Sequence, residues 1–158
     1  MTEDRVVQEL VAHGVDHEIV PCDPALADTA DFCAAYGYAL EDSANAIVVV
    51  GKSEPRSYAV CVLLASQRLD VNGVVRRRLG SRKASFASAG ETSELTGMTI
   101  GGVTPIGLPA SLPVWVDRRV TERERIILGG GSRDRKLLVD PAALARLPGV
   151  EVVDDLAR

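Results

Sequence analysis

Two glycine-rich stretches are the places where this 158-residue chain could set its backbone against a ligand. The first is Gly101-Gly102-Val103-Thr104-Pro105-Ile106-Gly107, and the second is Gly129-Gly130-Gly131. Glycine has no Cβ, so main-chain groups there can approach a bound molecule closely. Backbone N–H groups aimed at one point can stabilise a developing oxyanion. Gly101, Gly102 and Gly107 suit that task, and Pro105 stiffens the turn. On composition alone, the same loop is an ordinary tight connection between a helix and a strand. The triple glycine lacks the Gly-Lys-Ser/Thr ending of a phosphate-binding P-loop and opens no helix in a βαβ unit. Neither a P-loop nor a dinucleotide fingerprint is expected from it.

Thiol and metal chemistry find little support. Cys22, Cys33 and Cys61 are odd in number and include no Cys-x-x-Cys pair. That argues against a disulfide framework and against a zinc site. Cys61 sits inside Tyr-Ala-Val-Cys-Val-Leu-Leu and reads as a buried small hydrophobe. A catalytic cysteine would want a histidine, and His13 and His17 both lie near the N-terminus. Arg76, Arg77 and Arg78, with Arg82 and Lys83, form the densest basic run. Such a run could touch RNA phosphates, although it is more often the solvated face of a helix. With a net charge of −4, any RNA must be met through a local patch and a shaped pocket.

The rest of the chain supplies the frame. Hydrophobic residues make up 46% and aromatics only 4%, so a core of Val, Leu, Ile and Ala is expected. No apolar run approaches the roughly 18 residues of a membrane helix. The start Met-Thr-Glu-Asp lacks the basic and apolar stretches of a signal peptide, so a cytoplasmic, non-membrane protein is expected. Residues 2–13 read as an amphipathic helix capped by Thr2, with Glu3 and Asp4 at its positive end and Gly14 as its stop. Residues 16–20 read as a strand, and Asp28 or Thr29 caps a helix ending at Gly37. Residues 46–50 and 58–64 are continuous apolar strands, which suggests a sheet covered on both faces. Asp70 caps a helix closed by Gly80, and a short helix over 91–96 stops at Gly97. Strands follow at 113–117, 125–128 and 136–139, then a helix from Pro141 to Leu147. The order predicts one α/β domain over 1–158, a mixed β-sheet flanked by helices.

Four segments, in order, carry a resemblance. They are Ala44-Asn45-Ala46-Ile47-Val48-Val49; Leu69-Asp70-Val71 leading to Leu79-Gly80; Leu95-Thr96-Gly97-Met98 followed by 101–107; and Ile126 to Arg133 with Leu137 to Leu144 after it. The third is the specific one, because Thr-Gly, a spacer, Gly-Gly-x-x-Pro and a further Gly are hard to obtain by chance. Together the segments resemble the YbaK-like aminoacyl-tRNA editing proteins, stand-alone relatives of the prolyl-tRNA synthetase editing domain. The resemblance implies a single mixed α/β domain that hydrolyses wrongly charged tRNA. The product would be a small amino acid removed from the terminal ribose, with tRNA-Pro among the candidate carriers. It implies no metal and no organic cofactor, mischarged aminoacyl-tRNA as partner through its acceptor end, and leaves room for association with a synthetase.

By the same resemblance, the catalytic positions are Asn45, Gly102, Thr104 and Pro105. The substrate-binding positions are Gly101, Val103, Gly107, Gly129, Gly130 and Gly131, to which Lys136 is added by its position near the last segment. Asn45 stands where the family carries a functional lysine, and relatives often carry a polar residue where Gly129 stands. Asparagine can hold a carbonyl or an amine by hydrogen bonds but supplies no charge. Its other reading is a polar residue at a strand start. Lys52 and Lys136 are positional candidates for the missing cation, with Lys52 the more exposed to solvent. Asn45 and the 101–107 loop are expected to border one pocket. If no other cation reaches it, Asn45→Lys should raise hydrolysis; if Lys136 does, Lys136→Ala should abolish it. A second reading is an inert relative that binds a tRNA end, an aminoacyl-like molecule or a protein. A third is an unrelated small-molecule enzyme on the same scaffold.

Overall fold

The computed structural model describes residues 2–158, with side chains described from Arg5 onward. The Thr2 cap and the Glu3 and Asp4 dipole contacts lie outside the described side chains. The first helix, α1 (Thr2–Ala12), packs Val6 and Leu10 fully into the core. Strand β1 (His17–Pro21) follows, then α2 (Thr29–Tyr36), which ends at Gly37 in the left-handed conformation. Strands β2 (Ala44–Gly51) and β3 (Ser57–Leu64) form an antiparallel pair. Asp70 then accepts from the N–H groups of Gly73 and Val74, capping a wide first turn that continues into α3 (Arg76–Leu79). Strand β4 (Ala84–Phe86) leads into α4 (Ala89–Thr96), which opens on a reciprocal capping box between Ser88 and Glu91. Strand β5 (Val114–Asp117), α5 (Arg118–Thr121), β6 (Ile126–Gly129), β7 (Arg135–Val139) and β8 (Val150–Val153) complete the order. The expected helix from Pro141 is a 3-10 turn over Pro141–Arg146, capped by Asp140.

The strands form two sheets. One has the order β1-β7-β6, and the other the order β4-β2-β3-β5-β8. The larger sheet is mixed, with antiparallel pairs at β4, β2 and β3 and parallel pairs from β3 through β5 to β8. Its central strands are apolar on both faces because both faces are covered. Val48, Val60, Val62 and Val116 join the main core with Val6, Leu10 and Leu137. Val49, Ala59 and Cys61 face the other way, against Val75, Trp115 and Leu156. A third cluster, Cys22, Ala27, Phe32 and Ile127, ties α2 to the small sheet. A single bridge between Ser43 and Ile127 links the two sheets just before β2 begins.

Candidate active site

The gap left by that linkage holds the candidate site. Strand β4 pairs with β2 only at Val49–Gly51, and β6 is bridged to the start of β2 only through Ser43 and Ile127. Between these points the outer edge of β2 has no strand beside it. A cavity of about 290 Å³ lies there, lined by Asn45, Gly101, Val103, Gly129 and Lys136 with Asp28, Thr29 and Phe32. Main-chain parity can be read from two hydrogen bonds. Val48 C=O accepts from Ala87 N–H on the outer side, whereas Ser43 C=O accepts from Ala65 N–H on the β3 side. Alternation along the strand then turns the N–H and C=O of Ala46, another lining residue, toward the cavity. Nothing in the sequence marks Ala46, because its contribution is the absence of a neighbouring strand.

Lys136 lies in β7 opposite Gly129 of β6 and Val20 of β1. It is only 6% exposed. Its Nζ donates to Ala27 C=O at 2.6 Å and Gly101 C=O at 2.8 Å, and stands 5.5 Å from the Phe32 ring centroid. No carboxylate forms a salt bridge with it among the described residues. Burial pulls this ammonium below the ordinary lysine range and the nearby Arg133 adds to the pull, while Cys22 and the Asp28 carboxylate oppose it in part. Two carbonyls leave one of its three N–H groups for a ligand. Asn45 is held by Thr29, whose hydroxyl donates to Oδ1 at 2.5 Å. Its amide N–H groups make no hydrogen bond to described residues and remain as donors at the cavity.

Asp28 and Thr29, read from sequence as helix caps, therefore belong to the pocket. Asp28 makes no cap hydrogen bond; its carboxylate accepts instead from Arg133 at 3.1 Å. Arg133 also donates to Pro24 C=O and to Ile100 C=O, clamping the segment before α2 to the start of the glycine loop. Arg133 ends the fourth matched segment, but nothing in the sequence gave it this role, because its three acceptors lie far away along the chain.

Most of the remaining predicted positions lie outside the cavity lining. Gly102, Thr104, Pro105, Gly107, Gly130 and Gly131 are buried and do not border the cavity. The Gly102 N–H is occupied by Thr99 C=O at 2.8 Å, and its own C=O accepts from Gly131 N–H at 2.7 Å. Its expected place as an oxyanion donor is thus taken by a turn. A Cβ on Gly102 would lie 2.6 Å from the Ser132 backbone, and one on Gly129 would lie 2.1 Å from Val103 O. The two glycine turns pack backbone on backbone, and glycine is required for that contact. Gly107 packs on the Val6 backbone, and Gly130 C=O accepts from Arg135 Nε. Thr104 is fully buried, and its hydroxyl has no partner among the described residues.

Lys52 is exposed in the turn after β2. Arg78 of the basic run is engaged, pairing with Glu151 at 2.6 Å and lying over the Trp115 ring. All three cysteines are free and buried, and burial pushes the Cys61 thiol up to about 12.

Comparison with known proteins identifies the family. The aminoacyl-tRNA editing domain matches residues 23–147. A multifunctional Ser/Thr-tRNA deacylase, ProXp-y of Escherichia coli (strain K12), is 26% identical over 156 residues, covering 98% of this chain and 92% of its own. A solved structure of a hypothetical protein superposes with a TM-score of 0.85 at 25% identity, covering 98% of this chain and 99% of its own. Another, provisionally assigned as a trans-editing enzyme for prolyl tRNA synthetase, gives a TM-score of 0.79 at 25% identity, covering 97% and 95%. On the match over residues 23–147, the chain belongs to the aminoacyl-tRNA editing domain family.

Proposed function

We propose that this protein is a trans-acting deacylase that removes a small amino acid from the terminal ribose of a mischarged tRNA. We further propose that Lys136 supplies the cation that the family places at Asn45. The observation that carries this reading is the buried Lys136 ammonium, in no salt bridge among the described residues, in one cavity with Asn45, Gly101, Val103 and Gly129. An aminoacyl ester is already activated toward water, so the site needs mainly to fix it and to meet the charge that develops. Water adds to the ester carbonyl, the bond to the ribose oxygen breaks, and that oxygen leaves with a proton. Lys136 Nζ, the Asn45 amide and the Ala46 N–H are the donors available to the oxyanion. Phe32 and Ile127 offer an apolar wall. Gly102, Thr104, Pro105, Gly107, Gly130 and Gly131 hold the wall in shape.

The inert reading loses its motivation, since the Asn45 departure does not deprive the cavity of a cation. The small amino acids to try first are serine and threonine, the substrates of the Escherichia coli relative, and tRNA-Pro is one carrier to include. Association with an aminoacyl-tRNA synthetase belongs to the same proposal and is checked by co-purification. Among the described residues, no helix is long and apolar enough to cross a membrane. The deciding experiment is a deacylation screen across tRNAs charged with different amino acids. Hydrolysis of at least one small amino acid, well above that given by Lys136→Met, is expected. A wild type no faster than that variant on every substrate would sink the proposal.

A further inference from the structure

We infer that the single-stranded 3′ end of the tRNA reaches the cavity along the outer edge of β4. Its terminal base would lie against Phe86 and Ile100, and its phosphates on Lys52, Arg82 and Lys83. This route rests on the deacylase reading and says how the substrate is held.

Two independent observations meet on this edge. The first is apolar. Phe86 is 56% exposed and Ile100 is 49% exposed, and both line the cavity. Singly exposed hydrophobic residues are ordinary, but these two flank one opening. An exposed aromatic ring at the mouth of a pocket is a platform on which any base can stack.

The second observation is charge. Lys52, Arg82 and Lys83 are all exposed, and none has an ion-pair partner among the described residues. Arg56, Arg78, Arg123 and Arg125, by contrast, each hold a carboxylate. Lys52 N–H donates to Lys83 C=O at 2.9 Å, so two lysines stand across from each other at the end of β4. Like charges in that relation repel unless an anion neutralises them. Their corner is fixed, because Ser53 N–H and Oγ both bond Ser81 Oγ while Arg82 N–H donates to Ser53 Oγ. Strand β4 is the outermost strand of its sheet. At about 3.3 Å per residue, its three residues set the cationic corner about 10 Å from Phe86. A short single-stranded terminus spans that gap. In a chain of net charge −4, an uncompensated basic corner beside the candidate active site is where an anionic chain would dock.

The test measures binding, not hydrolysis. An uncharged RNA minihelix ending in CCA, fluorescently labelled at its 5′ end, is titrated with wild type and variants over a range of salt. The variant Lys52→Ala/Arg82→Ala/Lys83→Ala should flatten the plot of log affinity against log salt by about 0.7 for each single-strand phosphate no longer neutralised. Phe86→Ala should bind about tenfold more weakly with the slope unchanged, and Phe86→Tyr should bind as wild type does. On a minihelix trimmed of its CCA end, Phe86→Ala and wild type should be alike. Thermal melting confirms that each variant is folded. An unchanged slope in the triple variant overturns the route, as does full binding by Phe86→Ala, or a wild type that binds no minihelix. Because uncharged RNA needs no hydrolysis, the two ideas fail separately. A protein that deacylates but binds RNA regardless of these residues sinks the route alone. One that binds here without hydrolysing sinks the catalytic reading alone.

Discussion

In the proposed site, Lys136 supplies charge and Asn45 supplies a neutral donor, a division that a single family lysine would make unnecessary. Interactions with a charged group are worth about 1.5–3 kcal/mol, against roughly 0.5–1.5 for a neutral hydrogen bond. If realised in the transition state, the charged interaction is worth a factor of about ten to a hundred in rate. Lys136→Met should therefore slow single-turnover deacylation by about that factor, whereas Asn45→Ala should cost about tenfold or less. Asn45→Lys should give no gain, because it brings a second cation to a cavity that already holds one. A clear gain from Asn45→Lys would show that Lys136 does not serve this purpose. The lowered pKa of Lys136 makes a further prediction, with burial as its main cause. Between that lowered value and the ordinary lysine value, the unfolded chain binds more protons than the folded one. Stability therefore rises with pH across this window. Hydrolysis that depends on the ammonium should fall across the same window, after subtraction of spontaneous hydrolysis. Opposite trends in urea midpoint and in kcat/KM are expected for wild type, and both should vanish in Lys136→Met. Parallel trends would rule out the assignment.

At the scale of elements, the site stands on the contact between the two glycine turns. Gly102→Ala and Gly129→Ala each drive a methyl group into backbone, at 2.6 Å and 2.1 Å, which cannot move aside as a side chain would. Each should cost about 1–3 kcal/mol or more in urea denaturation. Gly149 has positive φ but open space where its Cβ would be, so Gly149→Ala should cost only the backbone term of about 1–2 kcal/mol. The losses at Gly102 and Gly129 should exceed that at Gly149, and losses no larger than at Gly149 would mean that the turns are not packed as described. The same contrast explains what could be read in advance. Asp70 and Gly80, Gly37 and Gly97 mark helix ends through local hydrogen bonds and local φ, so the sequence displays them. The apolar runs of β2 and β3 display burial on both faces. Strands β4 and β8 are too short to show a period, and their existence depends on partners far along the chain. Asn45 and the glycine loop were legible through the resemblance. The orientation of Lys136 follows from its register against Val20 and Gly129, and the turn of Ala46 toward the cavity follows from a missing neighbour. Both are properties of long-range pairing that no local window contains.

At the scale of the whole molecule, the matched span of 23–147 is smaller than the unit that builds the site. Strand β1 lies before that span, and its Val20 is the cross-strand neighbour of Lys136. Helix α1 also lies before it, yet Val6 and Leu10 are fully buried in the same core as Val103 and Ile106. The Gly107 turn rests directly on the Val6 backbone. The glycine loop thus takes its shape from one side by β6 and from the other by α1. Leu10→Ala removes side-chain volume from a site with no solvent to fill it, so a loss of about 2–5 kcal/mol in unfolding free energy is expected. Its signature should also be local. Amide hydrogen exchange over 101–107 should quicken in Leu10→Ala more than exchange in β3, which is held between β2 and β5 on either side. A variant lacking residues 1–22 removes both α1 and β1, and it should lose the cooperative unfolding transition together with deacylation. If that shortened protein instead melted cooperatively and hydrolysed its substrate at the wild-type rate, the flank would be an accessory and the editing unit would be the matched span alone.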